Sequence, residues 1–131
     1  MKDCVLCKVV TGELPSHKIY EDDYCIGVLD ITPCAPGHCL IVPKKHVEKF
    51  YDLSDEDIKK LFSAAKKVAK KIKVAYNPDH VCIFARGGRL PHLHIAVFQS
   101  NEGDGVSGFP QSNFSSVKVD LAASAEKLRK A

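Results

Sequence analysis

The sequence predicts one α+β domain, and three observations carry that prediction. Five short runs are rich in β-branched and aromatic residues, one longer segment repeats its apolar residues at helical spacing, and Gly/Pro-rich turns separate them. The length, 131 residues, suffices for one domain with a real core, and neither an internal repeat nor a linker divides it. Composition is that of a globular chain, 45% hydrophobic and 27% charged.

His17-Lys18-Ile19-Tyr20-Glu21 and Tyr24-Cys25-Ile26-Gly27-Val28-Leu29-Asp30 flank the acidic turn Asp22-Asp23, which predicts a hairpin. Thr32-Pro33-Cys34-Ala35-Pro36-Gly37 then forms a turn, and His38-Cys39-Leu40-Ile41-Val42-Pro43 a third strand. Ser54 is the expected N-cap of the long helix, with Asp57 at the capping-box position. Ile58, Leu61, Phe62, Ala65, Val68, Ala69 and Ile72 form its apolar face, and Asn77-Pro78-Asp79 stops it. Val81-Cys82-Ile83-Phe84-Ala85 is the fourth strand, and Pro91-His92-Leu93-His94-Ile95-Ala96-Val97-Phe98 the fifth. The segment 99–116, rich in Gly, Ser and Asn, reads as a surface excursion. Val117-Lys118-Val119 is a brief strand, and Asp120 caps a short terminal helix with Leu121, Ala125 and Leu128 on one side.

Nineteen basic and 16 acidic residues leave a net charge of +3, too little to imply nucleic acid. The lysines around the long helix read as a solvated face, the alternative being a polyanion contact with strong salt dependence. No apolar run reaches the ~20 residues of a membrane span, and Met1-Lys2-Asp3-Cys4 lacks a signal-peptide core, so a cytoplasmic location is expected. Cys25, Cys34, Cys39 and Cys82 stand singly and read as small buried hydrophobes.

Chemistry concentrates on two features. Alternation along the fifth strand puts His92 and His94 on one face, directly after the loop Arg86-Gly87-Gly88-Arg89. Cys4-x-x-Cys7 is a zinc half-site, a redox pair or chance; zinc leads, because no strand can precede Cys4 to complete a redox βαβ unit. Two thiolates fill half a tetrahedral site. The remaining ligands lie among His17, His38, His46, His80, His92 and His94, and spacing alone does not choose between them.

Leu29-Asp30-Ile31-Thr32-Pro33, Pro36-Gly37-His38-Cys39-Leu40-Ile41-Val42-Pro43-Lys44-Lys45-His46 and Pro91-His92-Leu93-His94-Ile95 together resemble the two halves of the histidine triad (HIT) family pattern. The opening Cys4-x-x-Cys7, with Thr11-Gly12-Glu13-Leu14-Pro15, is similar to the zinc-carrying members. The resemblance spans about residues 4–105, leaving 106–131 as loop and C-terminal helix of a single domain, 1–131. It implies an antiparallel sheet of about five strands crossed by one long helix, and a homodimer joined sheet to sheet. It also implies a hydrolase or nucleotidyl transferase that attacks the α-phosphorus of a purine mononucleotide or dinucleotide through a histidine.

Carried over by position, His94 is the nucleophile and His38 its supporting histidine. Asp30 meets the ribose, and Ile31 lies beside the base. Structural zinc falls to Cys4, Cys7, His46 and His92. Gly87 and Gly88 permit close backbone approach, with N–H groups available to the phosphate oxygens. No membrane or nucleic-acid partner is expected. The pattern breaks at Ala96, where the family carries its third histidine, and at Gly88, where it carries a phosphate-contacting glutamine. These losses raise the alternative of a zinc-stabilised nucleotide-binding or regulatory module with little turnover.

Overall fold

The computed structural model describes residues 3–85, 90–103 and 120–130. Helix α1 (Val5–Thr11) opens the chain, followed by strands β1 (Lys18–Glu21), β2 (Cys25–Leu29) and β3 (Cys39–Pro43). A 3-10 turn (Phe50–Asp52) leads into the long helix α2 (Asp55–Tyr76). Strands β4 (His80–Phe84) and β5 (Ile95–Ser100) follow, then helix α3 (Leu121–Lys130). The five strands form one antiparallel sheet, as the resemblance implies, in the order β1-β2-β3-β5-β4.

Local chemistry sets the element ends. Cys4 caps α1, its Sγ accepting from the Cys7 N–H, and Gly12 ends the helix in the left-handed conformation at φ 82°. Ser54 Oγ accepts from the Asp57 N–H at 3.1 Å, and three acids occupy the first turn of α2, where the helix dipole favours them. Asn77 closes α2 at φ 46°, a conformation that asparagine tolerates better than most residues. The β1–β2 turn hangs on Asp22, whose carboxylate accepts from the Tyr24 N–H, the Cys25 N–H and the Tyr20 hydroxyl.

Period-2 alternation divides the sheet into two faces. Cys25, Cys39, Ile41, Ile95 and Val97 pack against Leu61, Ala64, Ala65, Val68 and Ile72 of α2. On the opposite face, Ile26, Val28 and Val42 pack against Cys4 and Leu6. Fully burying a Leu, Ile or Val contributes about 1.5–3 kcal/mol, so the first cluster holds the domain together and the second fastens α1 to it.

Several expectations are corrected. The ladder of β5 begins at Ile95, so His92 and His94 stand in its lead-in, whereas Gln99 and Ser100, assigned to the excursion, are buried in the strand. The reason is β4, whose His80 pairs with Ser100 and extends the ladder. Phe62 is 45% exposed and Ala64 is buried in its stead, because the stripe facing the sheet is turned toward the Ala64 side of Leu61 and away from Phe62. Cys34 is exposed in the β2–β3 loop and Cys82 is half-buried on the edge strand. Asp120 does cap α3, accepting from the Ala123 N–H at 3.0 Å, but Leu128 is exposed. Arg86 to Arg89, Val117 to Val119 and the excursion from 104 onward lie outside the described residues.

Candidate active site and metal centre

Cys4, Cys7, His46 and His92 offer four ligand atoms that all lie within 4.8 Å of one another. Cys7 Sγ is 3.2 Å from His46 Nδ1 and 3.4 Å from His92 Nδ1, and Cys4 Sγ is 3.3 Å from His92 Nδ1. Ligands of a tetrahedral zinc at the usual bond lengths stand about 3.5 Å apart, so this spacing suits a small tetrahedral cation. Three remote segments build the cage: the start of α1, the loop after β3 and the lead-in to β5. Among the described residues no other such cluster occurs, and His17 and His80, exposed on the surface, are not drawn into it.

Electrostatics fit the same occupant. Burial, followed by the hydrogen bond and charge repulsion from Cys4, raises the Cys7 pKa, a penalty that a bound dication would reverse. His92 is fully buried. Burial is the largest cause that lowers its pKa, His46 and His94 lower it further, and its bond to Pro43 partly offsets them. The neutral imidazole that a metal requires is thereby favoured. His92 Nε2 lies 2.8 Å from the Pro43 carbonyl, which can only accept, so Nε2 carries the hydrogen and Nδ1 presents its lone pair to the cage. His46 Nε2 is buried and has no hydrogen-bond partner among the described residues.

His94 stands two residues further on and is half-buried. Its Nδ1 lies 3.0 Å from the His92 carbonyl oxygen, so Nδ1 is the N–H and Nε2 the lone pair. Asp30 and His38 meet at the neck of the β2–β3 loop, where the Asp30 N–H donates to the His38 carbonyl at 2.9 Å. The Cys34 N–H donates to His38 Nδ1 at 3.1 Å, which leaves the ring proton on Nε2, 3.4 Å from Asp30 Oδ2 but out of hydrogen-bond alignment. Burial lowers the His38 pKa against the opposing pull of Asp30. Asp30 Oδ1 accepts from the Thr32 N–H at 2.8 Å and its hydroxyl at 3.1 Å, so this carboxylate is already oriented. Ile31 is 90% exposed beside it.

The register β3–β5 (Leu40 opposite Ala96) puts His38, Leu40, Ala96 and His94 on one face of the sheet. The His38 ring packs on Phe98, at 5.3 Å between centroids. Phe98 is four residues from His94, roughly 13 Å along the strand. Among the described residues no hydrogen bond joins His38 to His94, and Ala96 occupies the strand between them. Gly87 and Gly88 lie outside the described residues. The sequence reading missed Pro43 and Phe98; Pro43 acts through its backbone carbonyl, which no side-chain pattern announces.

No helix among the described residues is long and apolar enough to cross a membrane. The fission yeast (Schizosaccharomyces pombe) adenosine 5'-monophosphoramidase hnt1 is 36% identical over 92 residues, covering 70% of this chain and 66% of the relative. A crystal structure of a HIT family member from Bacillus subtilis superposes with TM-score 0.83 at 30% identity, covering 98% of this chain and 96% of that one. The structure of a zinc-bound histidine triad family protein from Mycobacterium smegmatis does so with TM-score 0.75 at 27% identity, over 98% and 92% of the two chains. Residues 11–103 match the HIT domain, and the chain belongs to the HIT domain family.

Proposed function

We propose that this protein binds a purine nucleotide and hydrolyses or transfers its nucleotidyl group through His94. The observation that carries the reading is the tautomer of His94: with Nδ1–H committed to the His92 carbonyl, Nε2 presents its lone pair as the nucleophile. Nε2 attacks the α-phosphorus, the bond to the leaving group breaks, and the electron pair departs with that group. Positive charge arising on the ring is eased through Nδ1–H. Water then attacks the His94 phosphoramidate, the P–N bond breaks, and the nucleotide leaves. Asp30 receives the ribose hydroxyls, Ile31 lines the base, and the backbone of Gly87 and Gly88 meets the phosphate oxygens. His38 supports the site from the Asp30 side rather than by direct contact with His94.

Zinc is the proposed occupant of the Cys4, Cys7, His46 and His92 cage. It would supply structural cross-linking, because four protein ligands leave no position for water. A homodimer joined at the sheet edge completes the reading; β4 is an edge strand and Ile83 on it is 47% exposed.

Ala96 restricts the chemistry. It cannot protonate a leaving group, a service that contributes ~10²–10⁴-fold. The favoured substrates therefore release a group that departs unprotonated, such as pyrophosphate or a phosphate ester. The same residue favours a second reading, a nucleotide-binding module with little turnover.

Incubation with α-³²P-labelled ATP or GTP, quenched in acid and in base, separates the two. Label that survives alkali, is lost in acid and is absent from His94→Ala is the expected result. Ala96→His should then raise turnover of substrates with poor leaving groups by ten-fold or more. Nucleotide binding without label, kept in His94→Ala and lost in Asp30→Ala, would leave the binding module.

A further inference from the structure

The β2–β3 loop, residues 31–37, carries Ile31 and follows Asp30, yet most of its hydrogen bonds are local. Thr32 turns back to Asp30, Cys34 to His38, and the His38 N–H to the Ala35 carbonyl. Such bonds shape a loop without fixing it against the sheet. Cys39 Sγ, next to the loop in sequence, donates to the Gly37 carbonyl at 3.0 Å, and from a remote part of the sheet Gln99 Nε2 donates to the Pro36 carbonyl at 2.7 Å. Gln99 is only 8% exposed, so its amide is a buried polar group whose bonds stabilise only while they are complete.

The amide is held at both ends. Asn101 Nδ2 donates to Gln99 Oε1 at 3.2 Å, and the Asp79 N–H donates to Asn101 Oδ1 at 2.9 Å. Asp79 Oδ2 in turn accepts from the Glu102 N–H at 2.9 Å. The two backbone groups at the ends determine every orientation between them. Pro36 offers only an acceptor and Asp79 N–H only a donor, so each amide has one arrangement that satisfies all partners. The result is a directed strut from the start of β4, through the end of β5, to the loop that follows Asp30.

We propose that Gln99 is a positioning residue for nucleotide binding: through Pro36 it holds the loop so that Asp30 and Ile31 keep their geometry toward the nucleoside. This rests on the reading that Asp30 and Ile31 hold the nucleotide, and the experiment separates the two claims.

The dissociation constant for AMP is measured by calorimetry on the metal-loaded protein and on Gln99→Leu, Gln99→Glu and Asp30→Ala. Leucine removes the donor at similar size, and glutamate turns a carboxylate toward the Pro36 carbonyl while keeping the acceptor for Asn101. Both are expected to weaken AMP binding about ten-fold, with the effect on KM and not on kcat. A merely structural role for Gln99 would instead lower the melting temperature and leave the affinity of the folded protein alone. Binding within two-fold of wild type in both Gln99 variants, with Asp30→Ala defective, would overturn the proposal and keep the nucleotide reading. Unchanged binding in Asp30→Ala would remove the nucleotide reading and the proposal with it. If Gln99→Leu does not fold, Gln99→Glu and Asn101→Ala carry the test, the latter with a smaller loss of two- to three-fold.

Discussion

Replacing Gly37 by alanine tests how the β2–β3 loop is seated on the far end of α2. Gly37 has φ 81°, and a Cβ built there would overlap the Tyr76 ring, with Cζ at 3.0 Å. Two costs follow. An L-residue in the left-handed region loses about 1–2 kcal/mol, and forcing a methyl against a packed ring typically costs ~1–3 kcal/mol. Tyr76 is 47% exposed in the last turn of α2, so its ring can swing outward and the second cost falls at the low end. A total of about 2–3 kcal/mol is expected, which at a typical slope of ~2 kcal/mol/M moves a urea midpoint by roughly 1–1.5 M. The same substitution in a Tyr76→Ala background should cost only the backbone share, about 1–2 kcal/mol. Urea titrations of the four proteins give both numbers. A penalty below about 0.5 kcal/mol, or an equal one in the two backgrounds, would refute the seating of Gly37 on Tyr76.

The metal centre makes a second prediction: the chain binds one zinc, and cobalt in its place gives the thiolate charge-transfer absorption of a tetrahedral site. Cys4→Ser or His92→Ala should abolish that band and cost at least about 3 kcal/mol of stability, whereas His17→Ala and His80→Ala leave both unchanged; a band that survives Cys4→Ser would remove the cage. Acid is the third perturbation. Burial, the largest cause for both His38 and His92, keeps their pKa values below histidine's ordinary 6.5. The unfolded chain therefore takes up protons before the folded chain does. Their stabilisation is complete above pH 6.5 and is lost as pH falls from there through the folded values. A metal bound at His92 would act in the same direction. Urea midpoints at descending pH should drop across that window, less steeply in His38→Gln, and a flat profile would contradict the burial argument.

Much of the architecture was legible because its causes are local. The Ser54 cap, the Asp22 turn and the Asn77 stop act within a few residues of themselves, and sequence order preserves such neighbours. The apolar period of α2 was visible for the same reason, although the direction of its buried stripe was not: Phe62 satisfies the pattern and still faces solvent, while Ala64 is buried. The end of β5 was misread because Gln99 and Ser100 are polar and their burial comes from pairing with β4, a partner far away in sequence.

For the candidate site the division is sharper. By itself the sequence determined which chemistries were available: a thiol pair at helical spacing, two alternate histidines, a carboxylate before a Pro/Gly turn, and an alanine at position 96. Only the tertiary structure decided which groups meet. Spacing left six candidate histidines and the resemblance pointed to two of them; the packed chain is what brings His46 and His92 to the start of α1. The tautomers of His92 and His94 followed from carbonyl oxygens that side-chain identity does not reveal. The strut from Asp79 to Pro36 exists only because β4 and β5 pair in one register. Hydrogen bonds and metal ligation act over about 2–4 Å, and a linear sequence does not specify distances of that size between remote residues until the chain is packed.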